Sequence, residues 1–232
     1  HILTTRLASG VLYDVDVRLR PSGRSGMLVS SLEAFKKYQF NDAWTWEHQA
    51  LVRARPVVGS PRLIKKFNEI RSKVLRQKRD LVELASDVSS MRERIKNELA
   101  TEKGSSKKLP KKENIGDLSE NDALFNIKYD EGGIIDIEFI VQFEVLSHAN
   151  QFVDLTYWSD NIRIIEHLEV NNILSSQDAE NLKQSYINYR SEGHKLQLQN
   201  SPLTSKSSKF IIERKQVTAS WNKVFRRKIN SD

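Results

Sequence analysis

The segment from Thr101 to Asp117 does most to limit what this chain can fold into. It is rich in Lys, Ser and Gly, contains Pro110, and interrupts an otherwise regular apolar periodicity. Before it, Leu63, Ile64, Phe67, Ile70 and Val74 fall on one helical stripe, and Leu81, Leu84, Val88, Met91, Ile95 and Leu99 on another. After it, the same three- and four-residue steps resume in Ile134 to Ala149, with Ile137, Ile140, Val141, Val145 and Leu146 facing inward. They continue in a helix holding Ile162, Ile164, Ile165 and Leu168, in a long one from Asp178 to about Leu198, and in Phe210 to Phe225. The pattern predicts a flexible basic linker at 101–117 between a first unit, 1–100, and a four-helix bundle, 118–232.

Helix starts carry their own signals. Ser30 with Glu33 reads as a capping box, Ser60-Pro61 as a cap with proline at the first helical position, and Asp80 with Glu83 as another start. Ser159 and Ser176 are the expected caps of two later helices, and Gly132-Gly133 is expected to turn a short extended segment, Asn126 to Asp130, into the first bundle helix. We read that glycine pair as a structural cap joining the bundle to the first unit.

Only the N-terminal part reads as sheet. Val11, Tyr13, Val15, Val17 and Leu19 alternate with Asp14, Asp16 and Arg18, so one strand is predicted over Val11 to Leu19, and Met27 to Ser30 opens a second. The fold class is therefore α+β, mostly α. Alternation projects Asp14, Asp16 and Arg18 from one face, spaced roughly 6–7 Å per two residues. Paired carboxylates suit magnesium and nearby guanidiniums such as Arg18 and Arg20 suit phosphate, which describes a nucleotide–metal edge. An exposed strand face with local ion pairs has the same pattern. Arg53 and Arg55 have two readings as well: ligands for phosphate or carboxylate, or charges that complement a helix C-terminus. Glu47 and His48 sit among tryptophans, where a hydrogen-bonded, packed histidine is the simpler expectation.

The net charge of +7 is uneven. Residues 62–112 carry 16 basic groups against 7 acidic, whereas 113–232 carry 13 against 18. The basic excess reads as a solvated face, and the acidic last half speaks against a nucleic-acid groove along the chain. Nothing approaches the roughly 18 consecutive apolar residues of a membrane span. The N-terminus has no signal pattern, and the absence of cysteine fits a reducing cytoplasm. No histidine spacing supports zinc, and neither a phosphate-binding loop nor a dinucleotide fingerprint occurs. With no initiator methionine, the chain reads as a fragment.

Several long motifs together carry a resemblance. Tyr13-Asp14-Val15-Asp16-Val17-Arg18-Leu19-Arg20-Pro21-Ser22-Gly23, Gly26 to Ser31, Ala43-Trp44-Thr45-Trp46-Glu47-His48-Gln49-Ala50-Leu51-Val52-Arg53-Ala54-Arg55, Asp130 to Ile140 and Trp158 to Glu166 resemble the glutamine synthetase adenylyltransferase family. The wording is closest to its C-terminal, AMP-attaching half. The resemblance implies a nucleotidyltransferase domain of the DNA polymerase β type, here partial, followed by a helical bundle. It implies ATP and magnesium as cofactors, glutamine synthetase and a PII-type nitrogen signal protein as partners, and glutamine as a small-molecule partner, with no nucleic acid and no membrane. Asp16 matches the third catalytic metal ligand, and Asp14 an acid carried by the attaching half. Arg18, Arg20, Arg53 and Arg55 are then nucleotide-side cations. The Gly-Ser-x-Asp-x-Asp element that supplies the family's first two ligands does not occur ahead of Asp16. Taking Asp14 and Asp16 as the primary pair instead lacks that preceding turn. The resemblance thus implies an incomplete catalytic unit, inactive in isolation, or alternatively a non-catalytic module that contacts glutamine synthetase or the PII-type protein.

Overall fold

Several of the helices begin where a side chain takes up one of the N–H groups that a first turn leaves without a partner. A computed structural model describes residues 6–7, 10–11, 23, 26–105 and 124–229. Ser31 Oγ accepts from the Ala34 N–H and opens α1, Leu32–Asn41. The Glu47 carboxylate reaches back to the Trp44 N–H at 3.0 Å and opens α2, Thr45–Val52. Ser60 caps α3, Pro61–Leu75, with proline at its first position as expected. Asp80 Oδ1 accepts from Val82 and Glu83 at the start of α4, Leu81–Ser105. The later helices are α5, Ile134–His148, α6, Asn161–Val170, α7, Ser176–Leu198, and α8, Ile211–Ile229.

Three caps stand one residue from their expected places. Ser31 caps rather than Ser30, Asp160 rather than Ser159, and Ser175 rather than Ser176. In each case the chosen side chain sits three residues ahead of the N–H it accepts, and the neighbouring serine does not.

Two short antiparallel ladders are present, β1 (Arg6–Leu7) with β2 (Gly10–Val11), and β3 (Leu124–Asn126) with β4 (Thr204–Lys206). The second brings the entrance of the bundle beside the loop that follows α7, a pairing with no local signature. The strand expected at Met27–Ser30 does not form. Those residues run as bends, with Met27, Leu28 and Val29 largely exposed. A strand holds only where a neighbour completes its ladder, and no described residue pairs with this run. The rest of the strand expected over Val11 to Leu19, with Asp14, Asp16, Arg18 and Arg20, lies outside the described residues.

Residues 101–105, expected to begin the linker, continue α4, while 106–117 lie outside the described residues, and one hydrophobic cluster takes residues from both sides of that stretch. Val52 of α2, Val74 and Leu75 of α3 and Val88 of α4 are fully buried in it together with Ile140, Val141 and Val145 of α5, Ile164 and Leu168 of α6, and Val217 of α8. Helix α5 is at its centre, touching α2, α4, α6, α7 and α8. Its sequence is apolar almost all round, as a helix enclosed on every side requires. Phe143 packs on Phe225 at 4.8 Å between ring centroids, and Phe125, Tyr189 and Phe210 form a second aromatic group under the β3–β4 ladder. No helix among the described residues is long and apolar enough to cross a membrane.

Candidate functional site

The polar side chains that cross the seam between α2–α4 and the bundle are the most structured chemistry in the described residues. A helix ends with carbonyls that lack partners, and buried arginines meet that need here. Arg71, on the inner face of α3, is 5% exposed. Its Nε donates to the Leu51 carbonyl at 2.9 Å and its Nη2 to Val52, which completes the C-terminus of α2. The same guanidinium donates to the carbonyls of Thr156 and Trp158 in the connection before α6. Burial lowers its pKa to about 10, so it stays charged at neutral pH. Arg79 does the same for the end of α3, donating to the carbonyls of Val74, Leu75 and Gln77 and reaching Leu146 of α5 at 3.4 Å.

Arg92 of α4 completes the set. It forms a buried ion pair with Asp136 in the first turn of α5, and donates to the Tyr129 carbonyl at 2.9 Å. Asp136 Oδ2 also accepts from the Gly132 N–H at 2.7 Å. Burial holds the Asp136 carboxyl above its ordinary value, against the pull of Arg92 and of that amide. Gly132 has φ +79°, and a Cβ there would lie 2.7 Å from the Arg214 carbonyl oxygen. The position therefore demands glycine. Tyr189 Oη donates to the Gly132 carbonyl at 2.8 Å, and burial raises its pKa. The glycine pair is thus the structural cap between bundle and first unit that its sequence suggested, with Asp136 as the acid that serves it.

Between these clamps lie two further links, the buried amide pair Gln49–Gln142 at 3.2 Å and an ion pair from Arg53 to Glu138 of α5. His48 is packed and hydrogen-bonded as expected. Its Nε2 donates to the Gln39 carbonyl at 2.9 Å, and Arg79 Nη2 lies 3.5 Å from Nδ1. Burial above all, with the nearby Arg79 charge, lowers its pKa, against the Gln39 carbonyl and Glu47. Glu47 stands at the start of α2, where it also accepts from Tyr38 Oη at 2.9 Å.

The connection that Arg71 grips is itself held firmly. Trp158 Nε1 donates to His167 Nε2 at 2.8 Å, so the proton of a neutral imidazole sits on Nδ1 and is donated to Asp154, also at 2.8 Å. Asn171 adds a second donor to Asp154. Burial works against these bonds, yet they hold the Asp154 carboxyl below its ordinary value. The Arg163 guanidinium lies 4.1 Å above the Trp158 ring.

The residues singled out from sequence divide accordingly. Asp14, Asp16, Arg18 and Arg20 lie outside the described residues. Arg53 caps the C-terminus of α2 and is engaged by Glu138, while Arg55 is exposed in the loop just before Pro56. No group of three or more His, Asp or Glu side chains among the described residues converges on a metal position. Arg71, Arg79 and Arg92 were counted with the solvated basic excess, and the structure corrects that reading. The positions of two of them held a signal: Arg71 follows Phe67 by four residues and Arg92 follows Val88 by four, on the apolar stripes of α3 and α4.

Two family models match different parts of the chain. Residues 1–70 match the family model for glutamate–ammonia ligase adenylyltransferase, and residues 89–206 match that for the GlnD PII-uridylyltransferase. The chain is 45% identical over 225 residues to a bifunctional glutamine synthetase adenylyltransferase/adenylyl-removing enzyme of Hahella chejuensis, and 44% identical over 224 residues to the protein of the same name in Pseudomonas putida. Each alignment covers 97% of this chain and 22% of the relative, so the chain spans about a fifth of the length of the curated relatives it matches. Residues 89–206, half of the chain, place it in the family that the GlnD PII-uridylyltransferase model describes, and over nearly its whole length it is similar to the bifunctional glutamine synthetase adenylyltransferases.

Proposed function

We propose that this chain is the rear of a nucleotidyltransferase centre that moves AMP from ATP to a tyrosine of glutamine synthetase, together with the bundle on which that centre rests. The observation that carries the reading is the 45% identity to a named adenylyltransferase across nearly the whole chain. In this reading Asp16 is the third carboxylate of a magnesium site and Asp14 flanks it. Arg18 and Arg20 steady the strand edge or the phosphates, and Arg55 faces the nucleotide side. When bound, magnesium would supply charge neutralisation at the phosphates. The contribution of the described residues is positional. Arg71, Arg92 and the Arg53–Glu138 pair fasten α2–α4 to α5, and the strand precedes α1 in the chain. Positioning is a large share of phosphoryl-transfer catalysis.

With this chain in place of the matching segment of the Hahella relative, Asp16→Ala abolishes transfer of labelled AMP to glutamine synthetase, and Asp14→Ala lowers it by less. An Asp16→Ala protein that labels at the unmodified rate contradicts the reading. The 232 residues alone, given labelled ATP and magnesium, are expected to leave glutamine synthetase unlabelled.

A second reading rests on the uridylyltransferase match to residues 89–206. A bundle common to enzymes named for acting on different proteins suits a regulatory module that contacts glutamine synthetase or a PII-type protein. Binding of a PII-type protein that survives deletion of residues 1–60 would favour it.

A further inference from the structure

The outward side of α3 carries five exposed cations, Arg62, Lys65, Lys66, Lys73 and Arg76, and a single carboxylate, Glu69. None of the five forms an ion pair among the described residues. Ile64, Lys65, Ser72, Lys73 and Arg76 recur at helical steps and form one wall of an open groove of about 860 Å³, with Thr156 and Tyr157 opposite. Over 15 residues that wall is roughly 22 Å long. The groove is built on firm ground. Arg71 beneath it is committed to four carbonyls, and Ser72 Oγ lies 3.0 Å from Thr156 Oγ1 across it. Tyr157, 65% exposed, leaves an aromatic ring uncovered on the wall opposite the cations.

We propose that this groove docks an acidic segment of the protein partner, which is glutamine synthetase in the function proposed above, on which this inference rests. Carboxylates of that segment pair with Lys65, Lys73 and Arg76, and an apolar side chain packs against Ile64 and Tyr157. Two features favour a protein over a nucleic acid. Glu69 stands between Lys65 and Lys73 and would repel an unbroken line of phosphates, whereas a protein can set a cation opposite it. Single-strand binding also uses successive aromatic platforms, and Tyr157 is the one aromatic residue among the described residues that line the groove. Charge complementarity at such a rim acts mainly on association rate and salt dependence.

The test is binding of the 232-residue chain to glutamine synthetase, measured by surface plasmon resonance at low and high salt. The variants are K65E/K73E/R76E and K65Q/K73Q/R76Q, with unchanged far-ultraviolet circular dichroism as the check on folding. The charge-reversed variant is expected to lose about tenfold or more in affinity and to show a flatter salt dependence, with the neutral variant in between. Wild-type affinity in both variants overturns the groove assignment and leaves the proposed function standing. Failure of the unaltered chain to bind glutamine synthetase overturns both the partner and the groove. Tighter binding to duplex DNA or to anionic vesicles than to glutamine synthetase, lost in the variants, assigns the cations to another class of ligand and overturns the proposal.

Discussion

Arg71 and Arg76 stand five residues apart on one helix, and their fates are opposite. Arg71 points into the seam, is almost fully buried, and gives its donors to carbonyls of α2 and of the connection before α6. Arg76 points outward and rims an open groove. The sequence counts them alike, since both add to the basic excess of residues 62–112. The difference teaches that a charge on a helix has to be read by its angular place relative to the apolar stripe. A guanidinium on that stripe finishes a helix end, and one off it is available to a partner.

The largest expected effect comes from breaking the buried side of that contrast. Arg71→Met removes a buried donor from four carbonyls, of which Leu51 keeps the Ala54 N–H, and is expected to cost roughly 3 kcal/mol or more, read as a fall in the urea midpoint. Gly132→Ala comes next, at about 2 kcal/mol, because its Cβ meets the Arg214 backbone and φ is positive; a thermal melt records it. A smaller and pH-dependent effect belongs to His48. Its folded pKa is lowered below 6.5, so the unfolded chain takes up the proton first as the pH falls. Stability is expected to drop from pH 6.5 downward until the folded value is reached, and His48→Gln is expected to flatten that slope in urea titrations at successive pH values. The exposed side gives the smallest change: Lys73→Ala with Arg76→Ala is expected to stay within about 0.5 kcal/mol of the parent.

Much of the helical architecture was legible because the signals were local. Ser60-Pro61 caps α3 as read, the apolar run from Ile134 forms the central helix, and Gly132-Gly133 turns the chain into it. Caps shifted by one residue where two candidate side chains were adjacent, since only geometry decides which oxygen reaches the N–H three residues on. The β3–β4 ladder pairs residues about 80 apart and left no local mark. Met27–Ser30 had strand-like residues but found no partner among the described ones. For the candidate site, the strand with Asp14 and Asp16 was legible as a pattern and through its family resemblance. Of the clamps, the stripe positions of Arg71 and Arg92 marked burial, but their partners were not legible, because an arginine bound to carbonyls has no partner residue type to search for. Arg92 with Asp136 joins residues 44 apart and could be paired only once α4 and α5 were seen together.

The account depends on the seam: α2–α4 and the bundle share one core fastened by Arg71, Arg79 and Arg92. Urea unfolding of the 232-residue chain tests this directly, with tryptophan fluorescence followed in a variant whose Trp158 and Trp221 are phenylalanine, so that Trp44 and Trp46 of the first segment report, and with circular dichroism followed for the helices as a whole. A single transition with coincident midpoints is the predicted result. A tryptophan transition that precedes the loss of helix would show α2 leaving an intact bundle, and would contradict the account.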